Sequence, residues 1–137
     1  MPPRYSEAEY ERLKSNDSPE SEHEVQKALF QWAEAQSAHT HALSLLYAIP
    51  NGQYRPGQRP EPGIQSGVPD LCLPVPSPPY HGLYLELKRD GGRLRDNQKD
   101  WLHELRGYGY AARVAYGFEE AKTTLEQYLD GTLPSHD

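Results

Sequence analysis

Gly67-Val68-Pro69-Asp70 and Leu83-Tyr84-Leu85-Glu86-Leu87-Lys88 are the two stretches that decide how this chain reads. The second is an apolar strand. Side chains alternate faces along a strand, so Leu83, Leu85 and Leu87 share one face and Tyr84, Glu86 and Lys88 the other. The first stretch closes a turn with proline and sets an acid at its end. Asp70 alone would pass for a turn residue, and Glu86 with Lys88 for the solvated face of an edge strand. Strands predicted on both sides make 83–88 central, however, and a central strand covered by helices seldom carries charge without a purpose. Two carboxylates and an ammonium beside one strand suit magnesium-dependent phosphodiester chemistry. The acids hold a hard cation through oxygen. The cation acidifies a bound water and offsets charge at phosphorus, while the lysine orients that water or stabilises developing charge.

Outward from this centre the pattern predicts alternating helices and strands. Ser21 and Glu24 fit a capping box, and Val25, Ala28, Leu29 and Trp32 then recur at helical spacing to about Gln36. Residues 42–49 predict a first strand, ended by Pro50-Asn51-Gly52, and 69–75 a second. Residues 51–67 are rich in glycine, proline and arginine and suit a substrate-facing loop. The run from Pro74 to Pro79 is a stiff connector. A third strand covers 82–88, and a basic, glycine-rich loop runs from Arg89 to Arg95. A helix follows to about Arg106 with Trp101, Leu102 and Leu105 inward, ended by Gly107 and Gly109. Residues 110–116 predict a fourth strand, and Phe118 to Tyr128 a last helix before Gly131. The order is α-β-β-β-α-β-α. Residues 1–20 read as a flexible arm, with a short helix over 6–14 at most. Residues 21–131 form one domain and 132–137 a tail.

At 137 residues and 36% hydrophobic content, the chain supports one domain with a modest core. No apolar run approaches the roughly 20 residues of a membrane span, and the N-terminus lacks a signal's apolar core. A single cysteine, Cys72, excludes an internal disulfide and fits a reducing cytoplasm. The net charge of −6 speaks at first against a nucleic-acid partner. The excess acid lies at the two ends, though, while residues 51–99 carry more bases than acids even counting Asp70 and Glu86. A positive middle on an acidic body can grip a phosphate backbone, with strong salt dependence. Asn51, Arg55, Arg59, Arg89, Arg93 and Arg95 flank the acids and form the candidate DNA-binding set. The six histidines show no zinc spacing, and no phosphate-loop or nucleophile-elbow motif is present.

Pro69-Asp70 followed by Glu86-Leu87-Lys88 resembles the PD-(D/E)xK signature of restriction-endonuclease-like nucleases. Asn51-Gly52, Gly67, Gly91-Gly92 and Gln98 extend the resemblance to the virus-type replication-repair nuclease (VRR-NUC) branch, over about residues 22–128. The resemblance implies an α/β fold with an α-β-β-β-α-β core. A mixed central sheet is flanked by helices, and a C-terminal helix is added here. It implies an Mg2+- or Mn2+-dependent DNA endonuclease. Asp70, Glu86 and the backbone carbonyl of Leu87 would hold metal, Lys88 would assist, and Gln98 would lie at the site's edge. A helix-borne acid is also implied. Glu22 lies about 60° from the apolar stripe of its helix and Glu24 about 100°; Glu24 is already committed to the cap, so Glu22 is the candidate, acting through water. The implied substrates are flaps, forks or Holliday junctions in phage or bacterial replication, recombination or repair. A homodimer or a helicase partner would go with them, in the cytoplasm of a bacterial or phage-infected cell. The competing expectation is a non-catalytic DNA-binding or helicase-partner module that keeps the fold. Arg95 departs from the family, where a serine often precedes this helix.

Overall fold

The computed structural model describes residues 21–50, 57 and 61–136. Residues 1–20 and the loop residues Asn51, Arg55 and Arg59 lie outside the described set, so the expected arm and part of the candidate DNA-binding set are not placed.

The described chain runs α1 (Glu22–Gln36), a 3-10 turn (His41–Leu45), β1 (Tyr47–Ala48), β2 (Leu71–Leu73), β3 (Leu83–Lys88), α2 (Asp96–Gly107), β4 (Ala111–Tyr116) and α3 (Phe118–Asp130). The strands form one mixed sheet in the order β1-β2-β3-β4. β1 pairs with β2 and β2 with β3 antiparallel, while β3 and β4 are parallel. A parallel pair needs a crossover, and α2 supplies it. β3 is therefore an interior strand with neighbours on both sides, as its mixture of leucine and charge predicts.

Alternation sorts the two faces. Leu71 and Leu73 pair in register with Leu85 and Leu83, and Leu83 and Leu87 with Ala111 and Ala115. These side chains meet Val25, Ala28, Leu29 and Ala33 of α1 and Phe118, Ala121, Leu125 and Tyr128 of α3 in one core. The other face carries Cys72, Tyr84 and Ala112 in register. It is covered by α2, whose buried residues are Gln98 and Leu102.

Two predicted details shift. The strand predicted over 42–49 is instead a 3-10 turn followed by a two-residue strand. Leu43 and Leu46, three residues apart, are the buried pair, and Ser44 Oγ donates to the His41 carbonyl at 2.7 Å. That local bond favours a turn over a ladder, and a short apolar run has no period that separates the two. In α1, Ala33 rather than Trp32 takes the fully buried position, and Trp32 packs at the core's margin. Gly107 is the last residue of α2, as expected, and Gly109, at φ +94°, makes the turn that follows. A Cβ on Gly109 would come within 2.6 Å of the His81 ring, so glycine is required there. The tail beyond α3 touches the domain. Leu133 packs on the core, and the Pro134 carbonyl accepts from Arg113 Nη2 at 3.0 Å.

Candidate active site

β2 begins one residue after Asp70, and β3 ends at Lys88. Their antiparallel register, Leu71 opposite Leu85, carries Asp70 to the level of Glu86. Asp70 Oδ2 accepts the backbone N–H of Leu87 at 2.7 Å. The amide and carbonyl of a strand residue project to the same edge, so the Leu87 carbonyl also faces Asp70, beyond the end of β2. The sheet thus places Asp70, Glu86 and the Leu87 backbone in one corner.

Burial is unusual for such groups. Glu86 is 2% exposed and Lys88 4%. Residues of these types are almost never so buried unless paired. Lys88 Nζ lies 3.9 Å from Glu86 Oε2. Gln98 Nε2 donates to the same oxygen at 3.2 Å, while Gln98 Oε1 accepts the Arg95 backbone N–H at 2.9 Å. The two bonds fix the amide's orientation, because a flipped amide would set oxygen against carboxylate and N–H against N–H. An arginine side chain has no acceptor, so position 95 cannot cap α2 as serine would. Gln98 makes only the reciprocal half of the capping box.

Electrostatics follow from this crowding. Burial, and then the charge of Asp70, raise Glu86 from an ordinary 4.5 to about 8. Burial also raises Asp70, against the opposing bond from Leu87 N–H. Contact with Asp70 pushes Glu86 further up, and the same contact pulls Asp70 down against its burial. The charge of Glu22 raises both. Glu22 opens α1, exposed, with Ser21 Oγ accepting the Glu24 N–H at 3.1 Å. The helix-borne acid chosen from sequence therefore bears on the site through its field.

The donors fit a hard divalent cation. Two oxygens, Asp70 Oδ1 and Glu86 Oε1, are left by the contacts to Leu87, Gln98 and Lys88. Two acids that repel each other are relieved by a cation between them. Among the described residues no group of three or more His, Cys, Asp or Glu side chains comes together as a metal cluster. Arg89, Arg93 and Arg95 are exposed on the loop that leaves β3.

A further contact was not anticipated. Asn97 Nδ2 donates to Ser66 Oγ at 2.8 Å. Gly67, at φ +90°, packs so closely that a Cβ would lie 2.8 Å from the Asn97 side chain. Consecutive residues of α2 therefore hold both acids: Gln98 binds Glu86, and Asn97 pins the turn that delivers Asp70. The sequence signal was a glycine three residues before Asp70 and an asparagine beside Gln98.

The profile of the VRR-NUC domain matches residues 7–119. A solved structure titled a VRR_NUC domain protein superposes with a TM-score of 0.70 at 25% identity, covering 82% of this chain and 91% of that one. A search of curated proteins found no match.

Proposed function

The chain belongs to the VRR-NUC family of nuclease-type domains, and on that premise we propose that it is a metal-dependent DNA endonuclease. The observation that carries this reading is the fully buried Glu86, 3.9 Å from the buried Lys88, with the half-buried Asp70 brought to its level by the β2–β3 register. Such a pair is costly to keep in a fold unless something uses it.

In this reading Asp70, Glu86 and the Leu87 carbonyl would hold Mg2+ or Mn2+, which would supply an acidified water and offset charge at phosphorus. Leu87 N–H and Gln98 hold the two carboxylates in place before substrate arrives. Lys88, buried and fixed near Glu86, orients the attacking water or stabilises charge on the phosphate oxygens. Glu22 acts from α1 through water. Asn51, Arg55, Arg59, Arg89, Arg93 and Arg95 grip the backbone, leaving a 5′-phosphate and a 3′-hydroxyl at the cut. Branched DNA of phage or bacterial cytoplasm is the substrate, and a homodimer would set two sites across one junction. No described helix is long and apolar enough to cross a membrane.

The test is cleavage of labelled duplex, flap, fork and four-way-junction DNA in Mg2+ and Mn2+, with Asp70→Ala in parallel. Metal-dependent cutting that Asp70→Ala abolishes supports the reading, and the preferred substrate assigns its role. No cutting by the unmutated chain, together with no Mn2+ binding, would leave a binding module.

A further inference from the structure

A second group of cations lies at the other end of the sheet. Arg106 Nε, on α2, donates to the Ala112 carbonyl at 2.9 Å, and Arg113 Nη1, on β4, approaches the same oxygen at 3.3 Å. Ala112 faces the outer edge of β4, and capping an edge carbonyl is a normal protective device. One neutral donor would serve for that. Here two guanidiniums converge, and Arg113 is 9% exposed.

Neither has an acidic partner among the described residues. The remaining bonds of Arg113 go to the neutral Tyr80 hydroxyl at 3.2 Å and the Pro134 carbonyl, and its guanidinium lies 5.6 Å from the centre of the Tyr80 ring. The terminal nitrogens of Arg106 have no protein partner among the described residues. Burial and the charge of Arg113 lower Arg106, with no carboxylate offsetting them. In a chain of net charge −6, two adjacent unpaired arginines stand out.

Arg106 lines a cavity of about 410 Å³ that is also walled by Tyr80, Tyr110, Ser135 and His136, and Arg113 stands behind it, bonded to the Tyr80 hydroxyl. Ligand pockets begin at roughly 300 Å³. The cavity opens at the start of β3, roughly 16 Å along the strand from Lys88, so it is separate from the acidic corner. Its chemistry is a cationic floor with hydroxyl, imidazole and tyrosine walls. That suits an oxyanion attached to a flat apolar group.

We propose that this cavity is a binding pocket for a phosphate-bearing nucleotide unit, either a free nucleotide or one residue of a DNA strand. Arg106 supplies the free fork of donors, and Arg113 fixes Arg106 and adds field. The pocket requires no metal and stands whether or not the acidic corner cleaves DNA.

The test is calorimetric titration of the full chain, in EDTA, with inorganic phosphate, dAMP and a short oligothymidylate. The expected result is saturable binding of dAMP or the oligonucleotide, weakened about tenfold or more by Arg106→Gln. Tighter binding of dAMP identifies a free nucleotide, and binding of the oligonucleotide alone identifies a strand; both support the pocket. If Arg106→Gln does not fold, His136→Ala, on an exposed wall, takes its place. No binding of any of the three probes, or binding unchanged in the arginine and histidine variants, overturns the proposal.

Discussion

Gln98 Nε2 donates to Glu86 Oε2 across 3.2 Å, with both side chains buried. The same amide also ties down the start of α2 through the Arg95 N–H. Gln98→Ala therefore orphans a backbone donor and releases Glu86. The expected outcome is a loss of roughly ten- to a hundredfold in cleavage rate, the usual cost of removing an outer support of a metal ligand. A lowered melting temperature should accompany it. Gln98→Glu should not rescue, because it faces Glu86 with a third carboxylate. Single-turnover kinetics and thermal melts check both.

Gly67 and Asn97 give a second outcome. Gly67→Ala meets the Asn97 side chain at 2.8 Å and adopts a positive φ. The backbone conformation alone costs roughly 1–2 kcal/mol. Adding Asn97→Ala relieves the side-chain collision but leaves the 3.0 Å approach to the Asn97 backbone carbon and the strained φ, so the double variant should regain part of the stability. Denaturant titration of the single and double variants measures the coupling.

The pH dependence of the metal-free protein follows from Glu86. Its value rises from 4.5 to about 8 on folding, so between those limits the native state holds a proton that the unfolded chain has lost. Stability is complete below about 4.5 and falls as pH rises towards 8. Asp70, also raised, acts in the same direction. Glu86→Gln should flatten this slope, as read from melting temperatures across the range in EDTA.

Lys88 is buried beside the acids. Lys88→Ala should reduce cleavage by roughly a hundred- to ten-thousand-fold if it assists proton transfer. Mn2+ should still bind, since Asp70 and Glu86 remain. Paired rate and calorimetric measurements separate the two effects.

Much of this arrangement was legible in the sequence because β3 combines leucine alternation with two charges that an interior strand would not otherwise keep. The burial of Glu86 and Lys88 follows from strand alternation together with the central place of β3, and the place of Gln98 from the family resemblance. The 42–49 segment was misread because Leu43, Leu45 and Leu46 carry no period that separates a strand from a turn, and the deciding bond from Ser44 is local. The Asn97–Ser66 contact joins residues far apart in the chain, so Gly67 and Asn97 mark its two ends in the sequence without showing that they meet. The Arg106–Arg113 convergence depends on the β4 register, which single-sequence patterning does not supply.

The most direct test of the central claim is proton release on Mn2+ binding near pH 7, measured calorimetrically in buffers of differing ionisation enthalpy. A metal site built on Asp70 and Glu86 must displace the proton that burial keeps on Glu86. The account predicts release of about one proton, lost in Glu86→Gln, with binding abolished in Asp70→Ala. Binding with no proton release, or binding that survives Asp70→Ala, would place any metal elsewhere and contradict the account.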